Sequence, residues 1–321
     1  MNLLPKYILI SKIVNWITVN KNCIWRYLPL KLIFGLTIKK DTKGISTNHI
    51  QKKLSWLLGW SGATLSLDLE KSIQDDILLW ADQTIDHRFD ILGSGIVRVD
   101  PIDWHTDFKT RFTWRKGIFY KKYIKVDLSN SADIKVVWEL SRCHQLIWLG
   151  EAYLISHDEK YAKEVINQIE HWIEENPLMY SINWTCSMEV AIRAVNWIYA
   201  LNMVISARCI KEDFIKKVYK SLYEHGFFIF NNFEKTFPYA SNHYAANICG
   251  LLFISQFFDN LKAGNRWFDF AINEYYYEIR NEILPTGVHF ERSISYHRLM
   301  VELFFYTYLM VSRTGNPVPL D

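Results

Sequence analysis

The stretch SMEVAIRAVNWIYALNMVI at residues 187–205 is apolar nearly all the way round a helical wheel, whereas KEDFIKKVYKSLYEH at 211–225 carries its charges on one face. A helix that is apolar on every side has to be buried, and one with a polar face suits the outside of a domain. The same alternation runs outward from this pair. Segments 134–156, 241–258 and 293–312 share the apolar character. Segments 158–176 and 265–283 share the one-sided charge, as in Lys160, Lys163, Glu164, Glu170, Glu174 and Glu175. Within 134–156, Val137, Trp138, His144, Trp148 and Ala152 recur at helical spacing. Inner, outer, inner, outer is the order of an (α/α) toroid, so the sequence predicts an all-α fold, an incomplete barrel of helical hairpins. Between 87 and 114 the helical period fails, and Gly93, Gly95 and Pro101 interrupt a β-like stretch. A short β and loop region is expected there.

In such a ring the inner helices run the same way, so the loops feeding their N-termini gather on one side. These loops carry Asn183-Trp184, then Ser241-Asn242-His243-Tyr244, then Glu291-Arg292-Ser293-Ile294-Ser295-Tyr296-His297. Any chemistry is expected at this end.

A chain of 321 residues, half of them hydrophobic, is long enough to bury a large core. Its net charge of +3 is far from the basic signature of a dedicated nucleic-acid binder, so nucleic acid is not an expected partner. The 13 Trp, 18 Tyr and 19 Phe exceed what a core of this size needs, and some are expected to line a surface that stacks on a ligand. Positive charge is concentrated at the front, where residues 1–53 hold ten Lys or Arg against the single Asp41. We read residues 1–84 as a basic helical segment packing on the toroid, and 85–321 as the toroid itself. The alternative for that segment is attachment to a membrane surface or an anionic polymer. The five cysteines, Cys23, Cys143, Cys186, Cys209 and Cys249, show neither a CxxC nor the paired His of a zinc motif, and read as buried thiols. No metal or cofactor is expected. The longest run free of charged side chains, Thr236 to Phe258, is too polar for a membrane span, and residues 1–20 lack the pattern of a signal peptide.

Four pieces together give the chain a family likeness. They are Ile102-Asp103-Trp104-His105, Asn183-Trp184 leading into Glu189 and Arg193, Ser241-Asn242-His243, and Pro285-Thr286-Gly287 leading to Ser295-Tyr296-His297. Over roughly residues 85–313 the sequence resembles the heparinase II/III family of polysaccharide lyases, which build an α-toroid followed by β-sandwich domains. The resemblance implies β-elimination on a uronic-acid-containing acidic polysaccharide and a periplasmic setting. It implies that Asn242 neutralises the uronate carboxylate, that His243 stands beside it, and that Tyr296 transfers the proton. It also implies a residue from the β-sandwich, for which the sequence ending at Asp321 has no counterpart. A toroid fragment of low activity is the resulting expectation.

Trp104, His105, Trp184, Arg292 and His297 are the expected substrate-binding residues, because aromatic faces and guanidinium forks suit sugars and their acidic groups. Each assignment has a plainer rival. Asn242 suits an N-cap, Trp184 a hydrophobic staple, and His243 and His297 the role of core histidines. Glu189 and Arg193, four apart on an apolar helix, are expected to form a buried structural ion pair. Two other functions stay open. A toroid glycoside hydrolase would need a facing carboxylate pair drawn from Asp103, Asp107 and Glu291, and a non-catalytic glycan-binding module would need neither carboxylates nor proton transfer.

Overall fold

The structure is a computed structural model that describes residues 46–62, 69–125, 127–235 and 241–315, all within one compact unit that begins at Ser46. The expectation for the basic front segment lies, up to residue 45, outside the described residues. Helices α1 (Thr47–Leu58) and α2 (Lys71–Ile85) come first. Two short antiparallel ribbons follow, β1 (Arg88–Phe89) with β2 (Val97–Arg98), and β3 (Thr106–Asp107) with β4 (Phe112–Thr113). They occupy the region where the helical period fails. The rest is helical: α3 (Ile134–Ser141), α4 (Gln145–Ser156), α5 (Glu159–Glu175), α6 (Ser187–Val204), α7 (Glu212–Asn231), α8 (Asn242–Phe257), α9 (Lys262–Glu282) and α10 (Ile294–Val311).

Helices α4, α6, α8 and α10 form an inner row in which each packs on the next, and α5, α7 and α9 lie behind α4, α6 and α8. This is the toroid arrangement expected from the alternation. Burial follows it: α8 is buried along almost its whole length, whereas α5 hides only one stripe around Tyr161, Val165, Ile169 and Trp172. Gly250 lets α8 lie against α6, because a Cβ there would fall 2.6 Å from the Cβ of Ala191. No helix among the described residues is long and apolar enough to cross a membrane.

Three expectations need correction. The segment 134–156 is two helices, since Cys143 takes a left-handed φ of 60° between α3 and α4 and turns Arg142 and His144 outward. The apolar segment 293–312 is not buried all round, because α10 packs mainly on α8, with side-chain contacts to α6 and α9, and leaves Val301, Phe305, Tyr308 and Leu309 exposed. Much of the aromatic surplus goes into the core, where Trp104, Trp172, Trp184 and Trp197 are fully enclosed.

The expected Glu189–Arg193 pair does not form. Arg193 instead sits in an aromatic box, its guanidinium 3.9 Å from the ring centre of Trp172 and 5.5 Å from that of Trp184. Its Nε donates to His225 Nε2 at 2.9 Å, Nη1 to Ser141 Oγ at 3.2 Å, and Nη2 to the Asn183 carbonyl at 3.5 Å. His225 is therefore neutral, with Nδ1 donating to the Ser221 carbonyl at 2.7 Å, and burial holds its pKa well below the ordinary value. Burial also lowers the Arg193 pKa to about 9, which still leaves it charged at neutral pH. Replacing Arg193 with Ala strands the acceptors of this box and opens a void between the rings. The expected cost is about 3 kcal/mol or more, read as a lowered urea midpoint, and a midpoint unchanged from the parent would contradict this account.

Candidate active site

The N-terminal turns of α6, α8 and α10 meet. Cys186, Met188 and Ile192 from α6 and its cap pack with Ala246 of α8, and Leu299 and Leu303 of α10 close against them. Asn242 and His243 stand one helical turn before Ala246, and Tyr296 stands one turn before Leu299. The three residues expected to carry the chemistry thus lie in the first turns of α8 and α10, one turn before residues that pack on a common apolar cluster.

Their settings differ. Asn242 is buried, 6% exposed, in the first turn of α8. The N-cap of that helix is Ser241, so the plain capping role does not fall to Asn242. His243 is half-buried, with Nδ1 3.4 Å from Glu234 Oε2 and 3.6 Å from Cys186 Sγ. The hydrogen bond to Glu234 raises its pKa, and burial works against that rise. Tyr296 is 44% exposed, so its phenol is accessible to a ligand.

Behind these turns runs a second charged layer. Arg142, turned out by the α3–α4 break, forks onto Glu189 with Nε to Oε2 at 2.5 Å and Nη2 to Oε1 at 3.0 Å, and reaches Glu139 at 2.6 Å. This bidentate geometry explains why Glu189 is lost to Arg193. A cleft of about 790 Å³ opens beside it between α4, α6, α8 and α10, lined among others by Arg142, His144, Trp148, Glu151, Arg298 and Glu302. Sequence reasoning did not find Arg142, Glu139, Cys186 or Glu234 as part of this end. The available signal was the polar Ser141-Arg142-Cys143-His144 interruption within an otherwise apolar helix.

Of the expected substrate-binding residues, three are placed elsewhere. Trp104, His105 and Trp184 are all buried, 0%, 0% and 1% exposed, and offer no face to a sugar. Trp104 donates from Nε1 to His171 at 3.2 Å, and its carbonyl accepts from Asn183 Nδ2 at 2.7 Å. Trp184 donates to the Asn176 carbonyl at 3.1 Å and packs on Trp172, His225 and Phe228. The motifs at 102–105 and 183–184 therefore bind each other and tie the β3–β4 ribbon to the entry of α6. Arg292 is exposed in the loop before α10, with a left-handed φ of 52°. His297 is partly buried and accepts from the His289 backbone N–H at 3.4 Å. Asp103 and Asp107 are absorbed in turns. Asp103 accepts from the His105 N–H and the Thr106 hydroxyl, and Asp107 from the Lys109 and Asp133 N–H groups and the Thr110 hydroxyl. Neither suits the carboxylate pair of a glycoside hydrolase.

The loop that delivers Tyr296 stands on a buried acidic cluster. Leu284-Pro285-Thr286-Gly287 forms a tight turn, with Gly287 at φ 81° and its N–H donating to the Leu284 carbonyl at 2.8 Å. Beneath it His289 Nε2 meets Glu282 Oε2 at 3.0 Å, and His289 also holds His297. Glu278 and Glu282, one turn apart on α9, are both buried.

The family model described as Heparinase II/III N-terminus matches residues 43–318. The chain belongs to the heparinase II/III family. Heparin-sulfate lyase of Pedobacter heparinus is 25% identical over 211 residues, covering 61% of this chain and 30% of that protein. Heparin-sulfate lyase of Bacteroides stercoris is 22% identical over 193 residues, covering 54% and 28%. Among solved structures, heparan sulfate lyase HepC from Pedobacter heparinus superposes with a TM-score of 0.63 at 20% identity, over 84% of this chain and 39% of that one. A heparinase III structure does so with a TM-score of 0.58 at 18% identity, over 84% and 39%. This heparinase II/III chain thus spans about a third of the length of the curated relatives it matches, and shares its fold with the solved ones.

Burial and the neighbouring Glu278 push the Glu282 carboxyl from an ordinary 4.5 up to about 8. The folded state then keeps a proton that the unfolded chain releases above pH 4.5, so this group lowers stability progressively as pH rises from about 4.5 to about 8. Replacing Glu282 with Gln removes that term. Urea midpoints measured from pH 5 to pH 8 are expected to fall less in the variant than in the parent, and parallel curves would refute the raised Glu282 pKa.

Proposed function

We propose that Asn242, His243 and Tyr296 form a lyase site that eliminates across the glycosidic bond next to a uronate in an acidic polysaccharide. The observation that carries this reading is that α8 and α10, one turn beyond these residues, pack on one apolar cluster through Ala246 and Leu299 in a chain of this family. The proton next to a uronate carboxylate is not acidic while that group keeps its full charge. Asn242 offers two amide N–H donors to the carboxylate. His243, whose pKa is raised by the hydrogen bond to Glu234, offers a ring N–H donor beside it. In this reading the Tyr296 phenol, which is accessible, moves the proton between the sugar carbon and the leaving glycosidic oxygen. The carbon–oxygen bond breaks as the double bond forms, and the product is an unsaturated sugar conjugated with its carboxylate. Arg292, Arg298 and Trp148, all solvent-accessible at or near this end, suit the sulfate and carboxylate groups and the sugar faces of such a substrate.

Heparan sulfate incubated with the protein should yield products with the ultraviolet absorbance of a conjugated unsaturated uronate. Tyr296→Phe is expected to lower kcat by about 10²-fold or more while KM stays near the parent value. Saturated, hydrolysed products, or a Tyr296→Phe variant with undiminished turnover, would overturn the lyase reading.

A further inference from the structure

Cys186, Glu234 and His243 come from three different segments, the cap of α6, the stretch after α7 and the first turn of α8, and converge on one point. Cys186 Sγ lies 3.5 Å from Glu234 Oε2 and 3.6 Å from His243 Nδ1, and that nitrogen lies 3.4 Å from Glu234 Oε2. A tetrahedral zinc ion with about 2.3 Å to sulfur and about 2.0–2.1 Å to nitrogen and oxygen sets sulfur-to-ligand edges of about 3.5 Å and a nitrogen-to-oxygen edge of about 3.4 Å. The three edges of the triangle match that figure. We propose that Cys186, Glu234 and His243 bind one divalent transition metal ion of the zinc class, with the fourth coordination position open to solvent.

The donors suit such an ion, since thiolate, imidazole nitrogen and carboxylate are its ordinary protein ligands. Their supports are also in place. Glu234 Oε2 accepts the Met188 N–H at 2.8 Å, which leaves its second lone pair for a metal, and the Glu234 N–H is held by Asn247 Oδ1 at 2.9 Å. Ser187 Oγ donates to the Asn232 carbonyl at 2.5 Å and pins the same stretch to α6. Such outer contacts fix ligand orientation. Thiolate and carboxylate together carry two negative charges, which a divalent ion balances. Cys186 closes the inner side, and Glu234 and His243 are both partly exposed, so the open position faces outward beside Asn242. Metal on Nδ1 would fix His243 as neutral imidazole with Nε2 turned away from the ion. The assignment is independent of the lyase reading, because it is tested by binding and not by turnover.

The test is titration of the chelator-treated full chain with Co2+. One equivalent is expected to bind with a thiolate-to-cobalt charge-transfer band and tetrahedral ligand-field bands, and Zn2+ should displace it. Cys186→Ser should abolish the charge-transfer band, and Glu234→Gln should weaken binding about tenfold or more. Cys209→Ser, at the half-buried thiol outside the triangle, should leave the spectrum unchanged. His243→Ala at a half-exposed position provides a second ligand variant if Cys186→Ser loses its circular dichroism signal, and it too should weaken binding about tenfold or more. No stoichiometric binding, a charge-transfer band that survives in folded Cys186→Ser, or ligand variants that bind like the parent would each overturn the site.

Discussion

A buried cation with no carboxylate in hydrogen-bond contact among the described residues organises the middle of this toroid. Removing a guanidinium from water is costly, and in the interior the cost is tolerated only when the donors are filled and the charge meets a polarisable surface. Arg193 satisfies both conditions through Trp172, Trp184, His225, Ser141 and the Asn183 carbonyl. Those partners belong to α5, the entry of α6, α7 and α3. One side chain thereby sets the spacing between the inner and outer layers, and the entry to α6 is fixed from inside.

The charged end of the domain follows from that anchoring. With the α6 entry held, Glu189 faces Arg142, and the α3–α4 break at Cys143 supplies Arg142 at the distance the fork needs. The same fixed entry presents Cys186 and the Met188 N–H to Glu234, which in turn meets His243. Glu234 is therefore the joint between the entry of α6 and the first turn of α8.

How much of this was readable from sequence depended on the range of the interaction. Alternating apolar and one-sided helices are local patterns, and they gave the inner and outer rows because burial of an apolar helix has few solutions. Asn242, His243 and Tyr296 were picked out by the toroid order together with the family likeness, and they stand in the first turns of α8 and α10. Individual contacts did not follow. Trp104, His105 and Trp184 looked like ligand residues because an aromatic in a loop reads the same whether it faces solvent or plugs the core, and only the Asn183-to-Trp104 bond, 79 residues apart, decides it. The Glu189–Arg193 pairing failed because a nearer partner in sequence lost to Arg142, which arrives from another helix. The cluster of Cys186, Glu234 and His243 has no sequence spacing of its own, since three separate segments create it.

The unequal support of the inner helices divides the site. Helix α8, which carries Asn242 and His243, is enclosed by α6, α7, α9 and α10, whereas α10, which carries Tyr296, rests mainly on α8 and shows its outer apolar face to solvent. Local opening is easiest where few buried contacts oppose it. Fluctuations of this domain will therefore be concentrated in α10 and the turn before it, while the α8 side stays fixed. Under the proposed lyase reading, a polymer chain entering the cleft would meet one rigid wall at the carboxylate and one compliant wall at the phenol, so the separation between them would adjust to the thickness of the sugar being gripped.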